Sequence, residues 1–515
     1  MRHFVLLLLS LLLGAASVAC AQAVPTPSPA SDVAPPPGPP VPVPAHNRLL
    51  TGLLNKSSSA APVPDTLVRI IGCDADSLRP LRVAAVLFAG NTITQERTLR
   101  AELDFQEGDT LTLAGLTARL EANRSRLFNL QLFHTVRAQA TCRNSQLIIL
   151  FGVQERWYLF PLPIFSLADR NINAWLDRPD RWRRFDYGLH LVRENFRGCN
   201  ERLTLNLQYG FNRKYELYYE APGFGRRRRV GLGLGFSYFQ SHTLDYTTQN
   251  DRLLAFRSET SFPVQRLFFT AGLRFRATVQ FTTALDISYQ RQQISPEIAL
   301  LNPDFYLGRQ QREFVEVALV STRNQRNTFA YPLSGQFAQL QLSHRQFLDR
   351  ATPAISTLRL RYARYQPLGH GFYSSSGITA QTRLSRQIAY PDRRALGYDA
   401  LVRGYDAYVI EGQHYLLVQQ GLSYRLLDAG TLRLPGLRDP KYARLPLVLY
   451  GNIFADAGYV AAPHPTLQNQ LPNTLLGAIG VGLHFVTYYD RVFVIEYTRN
   501  GRGETGFFLR TSFPI

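Results

Sequence analysis

Residues 157–515 predict a transmembrane antiparallel β-barrel of about 16 strands, preceded by one small α+β domain at residues 81–156. Three observations predict it. Runs of strict alternation recur along the C-terminal part: Leu203, Leu205, Leu207 and Tyr209 interleave with Arg202, Thr204, Asn206 and Gln208. A half-buried strand has this period of two. The polar faces repeatedly carry arginine and glutamine, which the dry core of a β-sandwich would leave unsatisfied. The 26 tyrosines and 32 phenylalanines suffice for aromatic girdles at two membrane interfaces. The strand number follows from about 22 residues per strand and connection.

The N-terminus predicts export. Met1-Arg2-His3 is a short basic head, Phe4 to Val18 an apolar core, and Ala19-Cys20-Ala21 a small-residue cleavage site. That core is shorter than the roughly 20 apolar residues a bilayer-spanning helix needs. Residues 1–21 therefore read as a signal peptide; the alternative makes Cys20 a lipidated N-terminus. Residues 22–80 read as a largely disordered linker. Its stretch from Val24 to Pro44 is proline-dominated, and residues 46–78 are expected to be weakly structured.

From Leu81 the pattern becomes β-α-α-β-β. Val83, Val86 and Phe88 belong to a first strand, and Thr94 is placed to cap a helix carrying Leu99 and Leu103. A second helix, about Leu113 to Leu130, has Leu116, Leu120, Leu127 and Leu130 at helical spacing. Strands from Val136 and over Leu147 to Val153 complete the domain. Beyond Trp157 the helical period disappears. Leu358, Leu360 and Tyr362 alternate with Thr357, Arg359 and Arg361, and Phe507, Leu509 and Phe513 alternate with Phe508, Arg510 and Ser512.

A net charge of +19 raises nucleic acid as a partner. The positive charge is almost all arginine, spread along alternating segments of an exported chain, and a basic lumen or anionic lipid headgroups account for it without nucleic acid. Arg226 to Arg229 read as a solvated turn. No Gly-x-Ser-x-Gly elbow, His-Glu-x-x-His pair or Walker loop is present, and no metal-ligand spacing, so the sequence argues against an enzyme, a metal site or a cofactor. The run Gly231-Leu232-Gly233-Leu234-Gly235 reads as small residues on one barrel face. Cys73 and Cys142 form a candidate disulfide in an oxidising compartment.

The segment Leu401-Val402-Arg403-Gly404-Tyr405, followed by Phe454-Ala455-Asp456-Ala457-Gly458 and Gly480-Val481-Gly482-Leu483, carries a resemblance. Upstream lie Asn195-Phe196-Arg197-Gly198, Tyr219-Glu220-Ala221-Pro222, and Pro332 with Gly335. In this order the motifs resemble those of the BamA/TamA-type assembly factors and two-partner secretion translocators. Gly90-Asn91-Thr92, Gly108-Asp109 and Leu130-Gln131-Leu132-Phe133 are similar to a POTRA module.

The resemblance implies a bacterial outer-membrane barrel with its POTRA domain in the periplasm. It implies a sixth extracellular loop folded into the lumen, with Val402, Arg403, Gly404 and Tyr405 at its tip. Asp456 is the arginine's implied partner and Glu496 a second candidate, with Phe454 and Gly458 on the partner strand. Phe507, Leu509 and Phe513 would lie on the last strand, at a weak seam with the first. Implied partners are unfolded outer-membrane or secreted polypeptides and outer-membrane lipid. Two departures stand out: the chain ends Phe513-Pro514-Ile515 rather than on an aromatic, and only one POTRA is evident. Three roles follow: an insertase for barrel proteins, a dedicated polypeptide translocator, or a passive channel.

Overall fold

The computed structural model describes residues 67–72, 80–143, 146–167, 185–224, 229–278, 280–433, 444–463, 468–487 and 492–510. The signal peptide, the proline-rich stretch, Cys73, Phe513 and most of the Arg226–Arg229 run lie outside them. Among the described residues two compact units emerge, one within residues 67–162 and 190–202, the other within residues 163–189 and 203–510.

The first unit contains a five-stranded sheet in the order β1-β4-β5-β2-β3. Its strands are β1 (Val68–Ile71), β2 (Pro80–Ala89), β3 (Thr110–Thr112), β4 (Phe133–Arg143) and β5 (Gln146–Glu155). Two helices, α1 (Glu96–Arg100) and α2 (Leu116–Phe128), supply its apolar cover. Leu99, Leu116, Leu120 and Leu127 are buried in one cluster with Val83, Val86, Ile149 and Phe151. Each fully buried leucine contributes about 1.5–3 kcal/mol, and together they hold two short helices that would be marginal alone.

Two expectations need correction here. Val68–Ile71, placed in a weakly structured stretch, forms a strand parallel to β4, with Val68 opposite Ala138. Val68 and Ile70 pack against the core, which offsets the entropy of ordering so short a segment. Thr94 does not cap α1, whose N-cap is Gln95 without a side-chain cap bond. Its hydroxyl instead donates to Glu155 Oε1 at 2.5 Å. Glu155 also accepts from the backbone N–H groups of Thr92, Ile93 and Thr94 at 2.6–3.1 Å. One carboxylate thus organises the whole turn. Burial works against its charge, but these donors outweigh it and hold its carboxyl below the usual range.

The second architecture is a 16-stranded antiparallel β-barrel sheet. Its order runs β25-β24-β23-β22-β21-β18-β17-β16-β15-β14-β13-β10-β9-β8-β7-β6. It starts with β6 (Leu159–Leu167) and ends with β25 (Thr505–Arg510). Between them come β7 (Phe185–Phe196), β8 (Glu201–Gly210), β9 (Asn212–Phe224), β10 (Val230–Ser241), β13 (Val264–Thr278), β14 (Phe281–Ile294), β15 (Gln311–Asn324), β16 (Gly335–Phe347), β17 (Ile355–Gly369) and β18 (Phe372–Leu384). β21 (His414–Arg433), β22 (Arg444–Ala461), β23 (Leu475–Val486) and β24 (Val492–Asn500) follow.

Register carries the alternation across the sheet. Leu285 pairs with Leu319, Leu319 with Leu342, Leu342 with Leu358, and Leu340 with Leu360, so apolar rows lie side by side. Ile287, Leu342, Leu360, Ile453 and Ile479 on these rows are exposed. An apolar face exposed over so many strands needs a lipid rather than an aqueous surrounding.

Some connections at one end of the strands are short, residues 197–200 and 370–371 among them. At Gly335 (φ +101°) an added Cβ would stand 2.1 Å from Gln325 O, so the turn requires glycine. The other end carries four long ones: residues 242–263, 295–310, 385–413 and 462–474. The first holds the hairpin β11 (Thr243–Gln249) and β12 (Arg252–Arg257), the second the short helix α3 (Pro296–Leu301), and the third the small pair β19 (Arg394–Leu396) and β20 (Ile410–Glu411). Leu244, Ile298, Phe305 and Tyr390 from three of these connections share one buried cluster.

Candidate functional site: a buried arginine lock inside the barrel

The 385–413 connection returns against the inward faces of β21 to β24. It can do so because it brings its own core: Leu396, Val402, Tyr405, Tyr408 and Ile410 are buried with Leu417, Val460, Leu476 and Ala478 of the wall. Gly458 makes the seat. A Cβ there would lie 2.5 Å from Val402 Cγ2 and 3.0 Å from Leu396 Cδ1. Gly404 turns the tip at φ +89°, and Asn500 Nδ2 donates to its carbonyl at 3.0 Å.

Arg403, 1% exposed, occupies the centre. Its Nη2 donates to Asp456 Oδ1 at 2.6 Å and its Nε to Oδ2 at 2.8 Å, a parallel two-bond fork. Its backbone N–H also donates to Asp456 Oδ2 at 3.1 Å. Nη1 reaches Glu496 Oε1 at 3.3 Å. The guanidinium lies 3.8 Å from the centroid of the Phe454 ring. That ring is accommodated by Gly480, where a Cβ would stand 2.4 Å from Phe454 Cζ. Both carboxylate side chains are fully buried. A cation and two carboxylates out of water are tolerable only with partners this close.

The structure therefore brings Val402, Arg403, Gly404, Tyr405, Phe454, Asp456, Gly458 and Glu496 together. Phe507 and Leu509 lie elsewhere: they are 78% and 73% exposed on the outward face of β25. Cys142 is disulfide-bonded, and Cys199 is buried, its Sγ accepting from Arg97 Nη2 at 3.4 Å.

Sequence reasoning missed two sets of residues. Arg510, inward on β25, donates from Nε to Glu496 Oε2 at 2.9 Å and from Nη2 to Asp406 Oδ1 at 2.6 Å. Glu496 is thus shared between the loop arginine and the last strand. The alternation of Phe508 and Arg510 placed Arg510 inward, but only the register assigns its partner. The second set anchors the loop at its start. Asp392, just before β19, accepts from Arg312 Nη1 at 2.5 Å and Arg345 Nη1 at 2.6 Å. Burial raises its carboxyl, but the two guanidinium groups overcome this and hold it far below the carboxylate range. Nothing in the local sequence around Tyr390-Pro391-Asp392 signals this role.

Comparison with known proteins bears on the same segments. Residues 81–156 match the model described as POTRA, surface antigen variable number repeat. Residues 195–415 match the Omp85 superfamily domain. The chain thus contains a POTRA domain and, after it, an Omp85 superfamily domain. No match was found among curated proteins. Among solved structures the chain is similar to BamA from Haemophilus ducreyi lacking POTRA domains 1–3, at 16% identity over 84% of this chain and 83% of that one, TM-score 0.48. It is similar to CdiB from Acinetobacter baumannii at 15% identity, covering 84% and 74%, TM-score 0.45. For CdiB from Escherichia coli the identity is 12%, the coverage 82% and 72%, and the TM-score 0.47. Within the Omp85 domain the model match ends at residue 415, so Arg403 falls inside it and Asp456 and Glu496 beyond it.

Proposed function

We propose that this chain is an outer-membrane assembly factor that helps barrel proteins fold and insert through a lateral seam between β25 and β6, with its POTRA domain in the periplasm. One observation carries the reading: Glu496 is shared by Arg403 of the inward loop and Arg510 of the last strand. The loop that plugs the lumen and the strand that ends the sheet are thereby one electrostatic unit. Among the described residues β25 stands at the end of the sheet order and pairs with β24. An end strand with free backbone donors and acceptors is a template for an incoming strand. The clients are unfolded outer-membrane polypeptides, and no bond-making step is needed.

The test compares outer-membrane and secreted proteins in cells with and without the chain, complemented by wild type or Arg403→Ala. Loss of several barrel proteins, restored by wild type and not by Arg403→Ala, is the expected result. Loss of one secreted protein alone would make this a dedicated translocator. No change in either fraction would point to a passive channel.

A further inference from the structure

A second set of cations in the lumen takes no part in the arginine lock. Arg359 and Arg361 are two residues apart on β17 and therefore share its inward face. Arg359 pairs in register with Gln341 and Gln381, and Arg361 with Gln339 and Thr379. With Arg326, they line a cavity of about 400 Å³ that touches Asp399 and Tyr398 of the inward loop and borders the lock at Arg403 and Arg510.

The charges in this cavity do not balance. The Phe337 ring carries the Arg326 guanidinium 4.8 Å from its centroid and that of Arg361 at 5.8 Å. Two like charges thus converge on one ring. Among the described residues Arg361 makes no ion pair, and the carboxylate nearest Arg359 is Asp399 at 3.6 Å, on a side chain 60% exposed. Arg359 Nε and Gln381 Nε2, at paired positions, are buried donors without an acceptor. Outside the lock, three guanidinium groups face one loosely held carboxylate, while Arg403 and Arg510, which also line the cavity, are neutralised by Asp456, Glu496 and Asp406.

We propose that this cavity is an oxyanion site that takes a phosphate group, bound by Arg361 and Arg359 in place of Asp399. A phosphate carries about −1.5 to −2 charge at neutral pH, which matches the excess. Its oxygens suit the planar donor fork of arginine and supply acceptors for orphaned N–H groups. Asp399 belongs to the inward loop, so occupancy frees that part of the loop from β17 while the Arg403 lock remains.

The experiment titrates inorganic pyrophosphate into the full chain in phosphatidylcholine nanodiscs, using wild type, Arg361→Gln and Arg361→Lys. Saturable one-to-one binding is expected, weakened about tenfold or more by Arg361→Gln and less by Arg361→Lys, which keeps the charge but not the fork. If Arg361→Gln does not fold, Arg359→Gln replaces it. Nanodiscs containing phosphatidic acid, read by native mass spectrometry, distinguish the source. Arg361-dependent lipid retention there, with no pyrophosphate binding, assigns the phosphate to a headgroup. Equal binding by wild type and the glutamine variant, with no Arg361-dependent lipid, overturns the site. So does Arg361-dependent binding of an oligoglutamate peptide in place of any phosphate, which would give the cavity to client polypeptides.

Discussion

At the scale of single residues, the decisive feature is how completely Arg403 is matched. Asp456 gives it two parallel bonds, Glu496 a third, and Phe454 an aromatic face. Removing one member of such a set leaves a buried charge without compensation, at a cost of about 3–5 kcal/mol. Asp456→Ala should therefore lower the temperature at which the folded barrel loses its heat-modifiable gel mobility, and more than Glu496→Gln, which keeps an acceptor oxygen. Arg403→Lys should resemble the aspartate variant more than wild type, because an ammonium cannot form the fork. A second prediction concerns Glu155. Its carboxyl is depressed in the folded state, so its contribution is complete above the ordinary glutamate range and fades as pH falls through the lowered value. In hydrogen-exchange measurements on the full chain, peptides covering residues 90–95 should be better protected in wild type than in Glu155→Gln at about pH 6, and the gap should narrow as pH falls below the ordinary glutamate range and through the lowered value. A gap independent of pH would show that the side chain's shape, not its charge, holds the turn.

At the scale of elements, the seat of the inward loop rests on missing side chains as much as on present ones. Gly458 leaves room for Val402 and Leu396, and Gly480 for Phe454. Gly458→Val should unseat residues 396–405 while leaving the strands paired. Cysteines placed at Ala400 or Asp406 would then react with a membrane-impermeant thiol reagent several-fold faster than in the wild-type background. Unchanged reactivity would show that the loop is held by its charges alone. Several of these elements were legible beforehand. The POTRA helices, the alternating strands and the Val402–Tyr405 tip announce themselves by period or motif. β1 and β3 did not, because four and three residues are too few to show a period; they are strands only because neighbours pair with them. The hairpin β11–β12 was equally silent, since it lies in a loop whose core is built from three connections at once.

At the scale of the whole molecule, sequence exposed the faces of the sheet but not its register. That difference explains what was and was not foreseen. Arg403 and Asp456 could be named together from motif order, whereas the Arg510–Glu496–Arg403 chain depends on β24 and β25 meeting with Glu496 opposite Phe508. Asp392 joins residues 47 and 80 positions away through a fold-level contact that no local pattern encodes. The same register makes the sheet's end distinctive. Phe507 and Leu509 are the most exposed apolar side chains of its last strand, while Ile287 and Leu342 are exposed in mid-sheet where both neighbours are paired. Lipid contact alone would treat these positions alike; a working seam would not.

The central claim is tested most directly by placing a photo-crosslinking residue at Phe507, Leu509, Ile287 or Leu342 in turn, in cells that are synthesising outer-membrane barrels. If β25 is the edge that receives clients, adducts with unfolded barrel proteins form from positions 507 and 509 and none above background from 287 and 342, and Arg403→Ala diminishes them. Equal labelling from all four positions, or no client adduct from 507 and 509, would contradict it.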